Sequence, residues 1–357
     1  MSADPVRVWY LRTAGSALGD TLVWTLAPVY FVTVVGMSPL QLVLVGTFME
    51  LTIFLCEVPT GIGVENVQPV YLRSAQFGRV CALVAIGGSV ALGLVSLRLP
   101  VIVGGIVIGA VGVVLASVMP EHGFRPASRD EAEGTLRTIV GTGRAGAQLV
   151  RRTPVLLLIL AISAFWGAWS EAYDRLGEAH MIRDIGLPSF AGLSFIVWFG
   201  IISAASLVLS LLVARPANRR LEHAPRQTIT RVLLFANVAV LATVVVFGLA
   251  QAFWLALIAM LATNTIRGLV VPLFSSWLNQ SITESSVRAT VFSITSQADA
   301  IGQWTGGPAI GVVGNVFGIR AALVLGASLL SPAVALYARA VRRGGPGGLA
   351  QPVEAGA

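Results

Sequence analysis

Apolar stretches of about 20 residues, each long enough to cross a bilayer as a helix, recur along nearly the whole chain with polar connectors between them. They predict spans near 10–34, 40–60, 74–97, 99–118, 154–178, 190–213, 232–250, 252–279, 287–313 and 320–340. The fold class that follows is an all-α polytopic membrane protein with about ten transmembrane helices. One polar connector is long, Pro120 to Thr153. It divides the chain into a four-helix bundle, residues 1–118, a linker, 119–153, a six-helix bundle, 154–341, and a tail, 342–357. The two bundles echo one another as parallel repeats would. Val35-Gly36-Met37-Ser38-Pro39 closes the first span, and Ile185-Gly186-Leu187-Pro188 follows the first span of the second bundle. Ser74-Ala75-Gln76 is matched by Thr295-Ser296-Gln297.

Arginine fixes the expected topology. The linker carries Arg125, Arg129, Arg137, Arg144, Arg151 and Arg152, a later connector Arg215, Arg219, Arg220, Arg226 and Arg231, and the tail Arg342 and Arg343. An N-terminus inside puts all of these and Arg288 on the cytoplasmic side, leaving Arg98, Arg183 and Arg320 outside, as the positive-inside bias requires. A multi-pass protein of the inner or plasma membrane with both termini cytoplasmic is therefore expected, its first apolar run a retained span. Hydrophobic residues make up 55% of the chain and charged residues 11%, against about a quarter charged in soluble domains, which excludes a soluble globule. The net charge of +7 comes entirely from Arg and is topogenic, so no nucleic-acid partner is expected. Cys56 and Cys81 both lie in apolar runs and read as small hydrophobes rather than a disulfide or a thiolate metal site.

Several stretches resemble the major facilitator superfamily, specifically its bacterial drug and tetracycline-efflux branch. They are Ser38-Pro39-Leu40-Gln41-Leu42-Val43-Leu44-Val45-Gly46 leading to Glu57-Val58-Pro59-Thr60-Gly61, Met119-Pro120-Glu121, and Ser170-Glu171-Ala172-Tyr173-Asp174-Arg175-Leu176. Arg267-Gly268 with Pro272, Trp277-Leu278-Asn279, Arg288-Ala289-Thr290 and Gly306-Gly307-Pro308 extend the likeness across almost the whole chain. The resemblance implies a two-bundle fold and small-molecule transport by alternating access. It also marks a departure: the family has six helices per half, and here Ile62 to Pro69 follows directly where its signature loop belongs. Two helices of the first half are missing against that pattern, which leaves open a non-transporting remnant, a membrane scaffold, or a protein that completes itself as a homo-oligomer.

Ionisable residues inside spans are costly, about 2.5–3.5 kcal/mol each at a helix centre on insertion scales, and point to function. Asp20 lies near the middle of the first span, which the resemblance puts beside the substrate path; it is either a proton carrier or a packing carboxyl. Glu50 and Glu57 are two turns apart on one helix face, a possible relay, with Glu57 equally an anchor for its helix end. Glu171 and Arg175 have the i, i+4 order of a helical pair, with Asp174 adjacent. Trp166 and Trp169 offer aromatic faces for a planar or cationic group. Arg267 and Asp299 each lie about 16 positions from the turn near Ile282 to Glu284, so in an antiparallel hairpin they would meet at one depth as a salt bridge. Gly302 with Gly306, Gly307 with Gly311, Gly314 with Gly318 and Gly105 with Gly109 have the spacing of close helix packing.

Asp20 and Glu50 are thus the candidates for proton coupling, and Glu171, Asp174, Arg175, Arg267, Asp299, Trp166 and Trp169 for gating or substrate contact. Trp24 and Trp304 join Trp166 and Trp169 as an apolar wall. His122, His180 and His223 fall in connectors, and no metal-ligand set, nucleophile-base pair or phosphate loop occurs. The expectation is a secondary transporter exporting a small amphipathic compound in exchange for protons, with membrane lipid around it, no cofactor, no metal and no enzymatic activity.

Overall fold

The computed structural model describes residues 5–57, 68–118, 148, 151, 153–188, 192–221, 224–282 and 288–343. Most of the 119–153 linker with its arginines, the tail beyond Arg343, the signature-loop region 58–67, His122, His223 and the side chains of Cys56 and Glu57 lie outside the described residues.

Among the described residues every regular element is helical, and the helices form ten rods. The first is α1 (Pro5–Trp24) continued by α2 (Ala27–Tyr30) and a π-helical turn, Phe31–Val35. Then come α3 (Pro39–Glu57), α4 (Gln68–Val95), α5 (Leu99–Val118) and α6 (Pro154–His180), which also runs into a π-helical turn, Met181–Ile185. The remainder are α7 (Phe195–Leu221), α8 (Arg226–Leu249), α9 (Phe253–Ser281), α10 (Arg288–Phe317), and α11 (Ile319–Leu329) continued by α12 (Ser331–Arg343). Eight of the rods are long and apolar enough to cross a membrane, and the order matches the ten predicted spans.

Prolines account for two of the breaks. Pro332 has no N–H to give the carbonyl of Ser328, and the Ser331 hydroxyl donates to that oxygen instead, at 2.7 Å, at the junction between α11 and α12. Pro28 likewise opens α2 just after the break at Thr25 and Leu26. The start of α3 is a capping box: Ser38 N–H donates to Gln41 Oε1 at 2.8 Å, and Gln41 N–H to Ser38 Oγ at 3.3 Å.

The sequence echo between the halves has a structural counterpart. Both first rods end in a five-residue π turn whose closing residue is a glycine with positive φ, 73° at Gly36 and 75° at Gly186. Only glycine takes that backbone conformation without strain. The two turns also touch, because Arg183 Nη2 donates to the Met37 carbonyl at 2.7 Å. Nearby, Asn315 Oδ1 accepts from Leu40 N–H at 3.0 Å, so the end of the bundle remote from both termini is tied across the two halves.

Helix α6 is the hub. It packs against α10 most extensively, and also against α3, α11 and α12. Five consecutive residues, Trp169–Tyr173, are buried, which a helix shows only when neighbours surround it. Glycines set the closest approach: a Cβ at Gly167 would strike the Asp299 carbonyl, one at Gly302 the Ala164 carbonyl, and one at Gly306 would lie 3.0 Å from Ala168 Cβ. Gly307 and Gly311 face α3, and Gly314 faces Pro39. On α1, Gly19 and on α5, Gly104 make the same kind of contact with each other. The expected pairing role of Gly105 and Gly109 does not hold among the described residues, since a Cβ on either would meet none of them within 4 Å; the packed face of α5 is the Gly104 and Ile108 face.

His180 also departs from expectation. Far from lying in a connector, it ends α6 with no exposed surface. Its Nε2 donates to the Phe247 carbonyl at 3.0 Å, its Nδ1 lies 2.8 Å from Asp184 Oδ2, and its ring stands edge-on to Phe247 at 5.0 Å. Glu178, His180, Arg183 and Asp184 lower the local hydropathy, yet internal partners allow the helix to continue. Replacing a buried, doubly bonded group costs about 1–3 kcal/mol. His180→Phe is therefore expected to lower the melting temperature in detergent by several degrees, read by tryptophan fluorescence; an unchanged midpoint would exclude this role.

Candidate functional site

The charged residues of the spans gather around the middle and upper turns of α6. Glu171, 1% exposed, accepts from Arg175 Nε at 3.3 Å, as the i, i+4 spacing predicts. The pair passes α3 at Gly46, where a Cβ would collide with both Glu171 Oε1 and Arg175 Nε. On its other side the Arg175 guanidinium lies 5.3 Å over the ring of Trp24 from α1, a cation–π contact. Glu171 Oε2 and the neighbouring Thr47 hydroxyl are buried with no hydrogen-bond partner among the described residues.

One turn along, Asp174 grips the guanidinium of Arg267 on α9 with both oxygens, Nη1 to Oδ1 and Nη2 to Oδ2, the latter at 2.8 Å. Arginine and carboxylate forks match in this way. The guanidinium also sits 5.3 Å from the Trp169 ring and 5.5 Å from that of Tyr173. Tyr173 donates its hydroxyl proton to Asn264 Oδ1 at 3.0 Å, and Asn264 Nδ2 donates to Ser206 Oγ on α7 at 3.1 Å. A polar chain thus runs from the ion pair through α9 to α7.

The expected Arg267–Asp299 bridge is not formed. Depth matching assumed that α9 and α10 pack as neighbours in a hairpin, whereas α10 lies on α6 and α3, and α9 on α8 and α7. Asp299 instead accepts from Gln303 Nε2 at 2.9 Å, one turn along its own helix. It remains within electrostatic reach of Arg267. Glu50 from α3 is half-buried and acts on both Glu171 and Asp299. Asp20 is exposed; it lies one turn before Trp24 and so on the face of α1 that meets Arg175.

Beside these charges a cavity of about 310 Å³ opens between α6, α9 and α10, bordered by Ser163 and Trp166, Phe274, Phe292 and Asp299, with Tyr337 from α12. Trp166 and Trp169 meet edge to face at 5.2 Å, so the tryptophans connect the cavity to the Arg267 pair. Trp304 buries its Nε1 without a partner among the described residues. Among those residues no group of three or more His, Cys, Asp or Glu forms a metal site.

Apart from Asp20, for which no contact with the cluster is seen among the described residues, the sequence-derived candidates are thus gathered around α6, although their pairing differs. The residues that sequence reading missed are Gly46, Tyr173, Asn264 and Ser206. Gly46 and Tyr173 stand inside the stretches that carried the family likeness, while Asn264 and Ser206 have no local signal, because a lone polar residue in an apolar run does not name its partner.

No family model matches the chain, and no curated protein sequence matches it. Solved structures do. A POT family transporter in complex with 5-aminolevulinic acid superposes with a TM-score of 0.60 at 8% identity, over 94% of this chain and 95% of that one. A bacterial homologue of the human lysosomal transporter Spinster, inward-facing and unoccupied, gives 0.58 at 14%, over 96% and 98%. The nucleoside transporter NupG gives 0.55 at 14%, over 94% and 90%. At such identities the likeness is one of architecture, and on that footing the chain is a polytopic helical membrane protein with a major-facilitator-like fold.

Proposed function

We propose that the chain is a secondary active transporter that exports a small amphipathic molecule in exchange for protons by alternating access. The observation that carries this reading is the gathering of Glu50, Glu171, Asp174, Arg175, Arg267 and Asp299 around one helix beside a cavity of about 310 Å³. Six ionisable groups in the spans would be a heavy insertion cost for a passive scaffold. The architectural neighbours add support, each being named for transport: of nucleosides for NupG, and a complex with 5-aminolevulinic acid for the POT family protein.

In this reading Asp20 and Glu50 carry the proton. Asp20 lies one turn before Trp24 on α1 and is exposed, and Glu50 feels both buried acids of the cluster. The Arg267–Asp174 fork and the Arg175–Glu171 pair act as gates that re-form as the halves rock. With both termini in the cytoplasm of a cell-membrane protein, as the arginine bias favours, the tied end near Gly36 and Gly186 would face outward.

The test is accumulation of lipophilic compounds in proteoliposomes carrying an imposed inside-acid pH gradient. Wild-type protein should accumulate substrate in proportion to the gradient, and Asp20→Asn should collapse gradient-driven accumulation. Folded protein without flux across a broad panel would establish the alternative, a non-transporting remnant or membrane scaffold. Gradient-driven flux that Asp20→Asn leaves intact would move the coupling site elsewhere.

A further inference from the structure

We infer that the cavity between α6, α9 and α10 selects an organic cation with a compact aromatic or apolar body and a single positive head, which meets Asp299. The inference rests on the reading of this cavity as the substrate site and adds the ligand's chemical class.

Charge is the first argument. Asp299 is the one acidic or basic side chain on the lining, and no arginine or histidine borders the cavity among the described residues. Its hydrogen-bond partner, the Gln303 amide at 2.9 Å, is neutral and leaves the negative charge in place. The nearest guanidinium that acts on it, Arg267, is already gripped by both oxygens of Asp174. Glu50 adds further negative charge. The one formal charge on the cavity wall, among the described residues, is therefore a carboxylate.

Two of the lining hydroxyls, with the aromatic wall, give the second argument. Ser275 Oγ donates to the Val271 carbonyl at 3.2 Å and Thr295 Oγ1 to the Val291 carbonyl at 2.8 Å. Each has turned its proton back onto its own helix. A ligand with two or more anionic groups needs cationic partners, and none lines this wall among the described residues. Trp166, Phe274 and Phe292 line the space among aliphatic neighbours, and ring faces add attraction for a cation. The volume lies at the small end of the range for ligand pockets, about 300–1,000 Å³, which suits one or two fused rings.

Three isosteres separate the possibilities: 1-naphthylmethylammonium, the neutral 1-naphthylmethanol and the anionic 1-naphthylacetate, titrated calorimetrically into purified protein in detergent. The ammonium should bind at least about tenfold more tightly than the alcohol, the scale of one partly desolvated charge pair plus cation–π contact, and the carboxylate should bind weakest. Asp299→Asn should erase the preference while leaving the alcohol's affinity within about twofold. Asp299→Glu should restore the preference, and it keeps the experiment decisive if the asparagine variant does not fold. Equal binding of all three, or preference for the anion, overturns the inference and leaves the cavity as a substrate site of another class. Binding of none of the three overturns the cavity reading itself.

Discussion

Gly302→Leu is expected to leave no monodisperse protein in detergent, whereas Gly105→Leu should purify like wild type. Both glycines have membrane-helix packing spacing, so sequence pattern does not separate them; surroundings do. At Gly302 the new side chain would enter the backbone of α6 at Ala164 and Ala168, with no flexible group to move aside. The reciprocal contact of Gly167 with the Asp299 carbonyl means that relief requires the two helices to separate along several turns. Overpacking against side chains costs about 1–3 kcal/mol, and backbone against backbone costs more, because α6 also holds α3, α11 and α12. A normal elution profile for Gly302→Leu would show that this approach is not needed for folding.

The second large effect concerns the fork between Asp174 and Arg267. Arg267→Ala should reduce transport by about a hundredfold, since it removes a charge partner and the planar group lying over Trp169 and Tyr173. A double-mutant cycle on stability in detergent then assigns the pairing without reference to transport. Removing one partner of a fully buried pair costs about 3–5 kcal/mol. With side-chain exposures of 22% for Arg267 and 41% for Asp174, solvent takes up part of that loss, and a coupling near 2 kcal/mol is expected. The cycle of Arg267 with Asp299 should give less than about 0.5 kcal/mol. The reverse ranking would restore the hairpin pairing and refute the fork.

That contrast shows what the residue order encodes here. Helix positions were legible because crossing a bilayer demands a run of fixed length, and the ten rods begin and end close to the predicted limits. The Glu171–Arg175 pair was legible too, since i, i+4 geometry is local to one helix. The partner of Arg267 was not. Asp174 lies 93 residues away, and the choice between it and Asp299 depends on which helices become neighbours. His180 was misplaced for a related reason: hydropathy counted its polarity, but its partner, the Phe247 carbonyl, belongs to another helix. Helix α10, crowded with Gly302, Gly306, Gly307 and Gly311, is among the most tightly packed, because small residues rather than apolar ones allow backbones to touch.

The contact between the two π turns has a genetic side. Arg183 grips a main-chain carbonyl at position 37, and every amino acid supplies one. The hydrogen bond therefore constrains only one of its two ends. Drift can exchange Met37 for another residue that suits its half-buried surroundings without loosening the tie, while at 183 only a side chain with a long-reaching N–H keeps the donor. The two segments, which end in similar turns, would thus diverge at unequal rates, one recorded in the code and the other carried silently by the backbone.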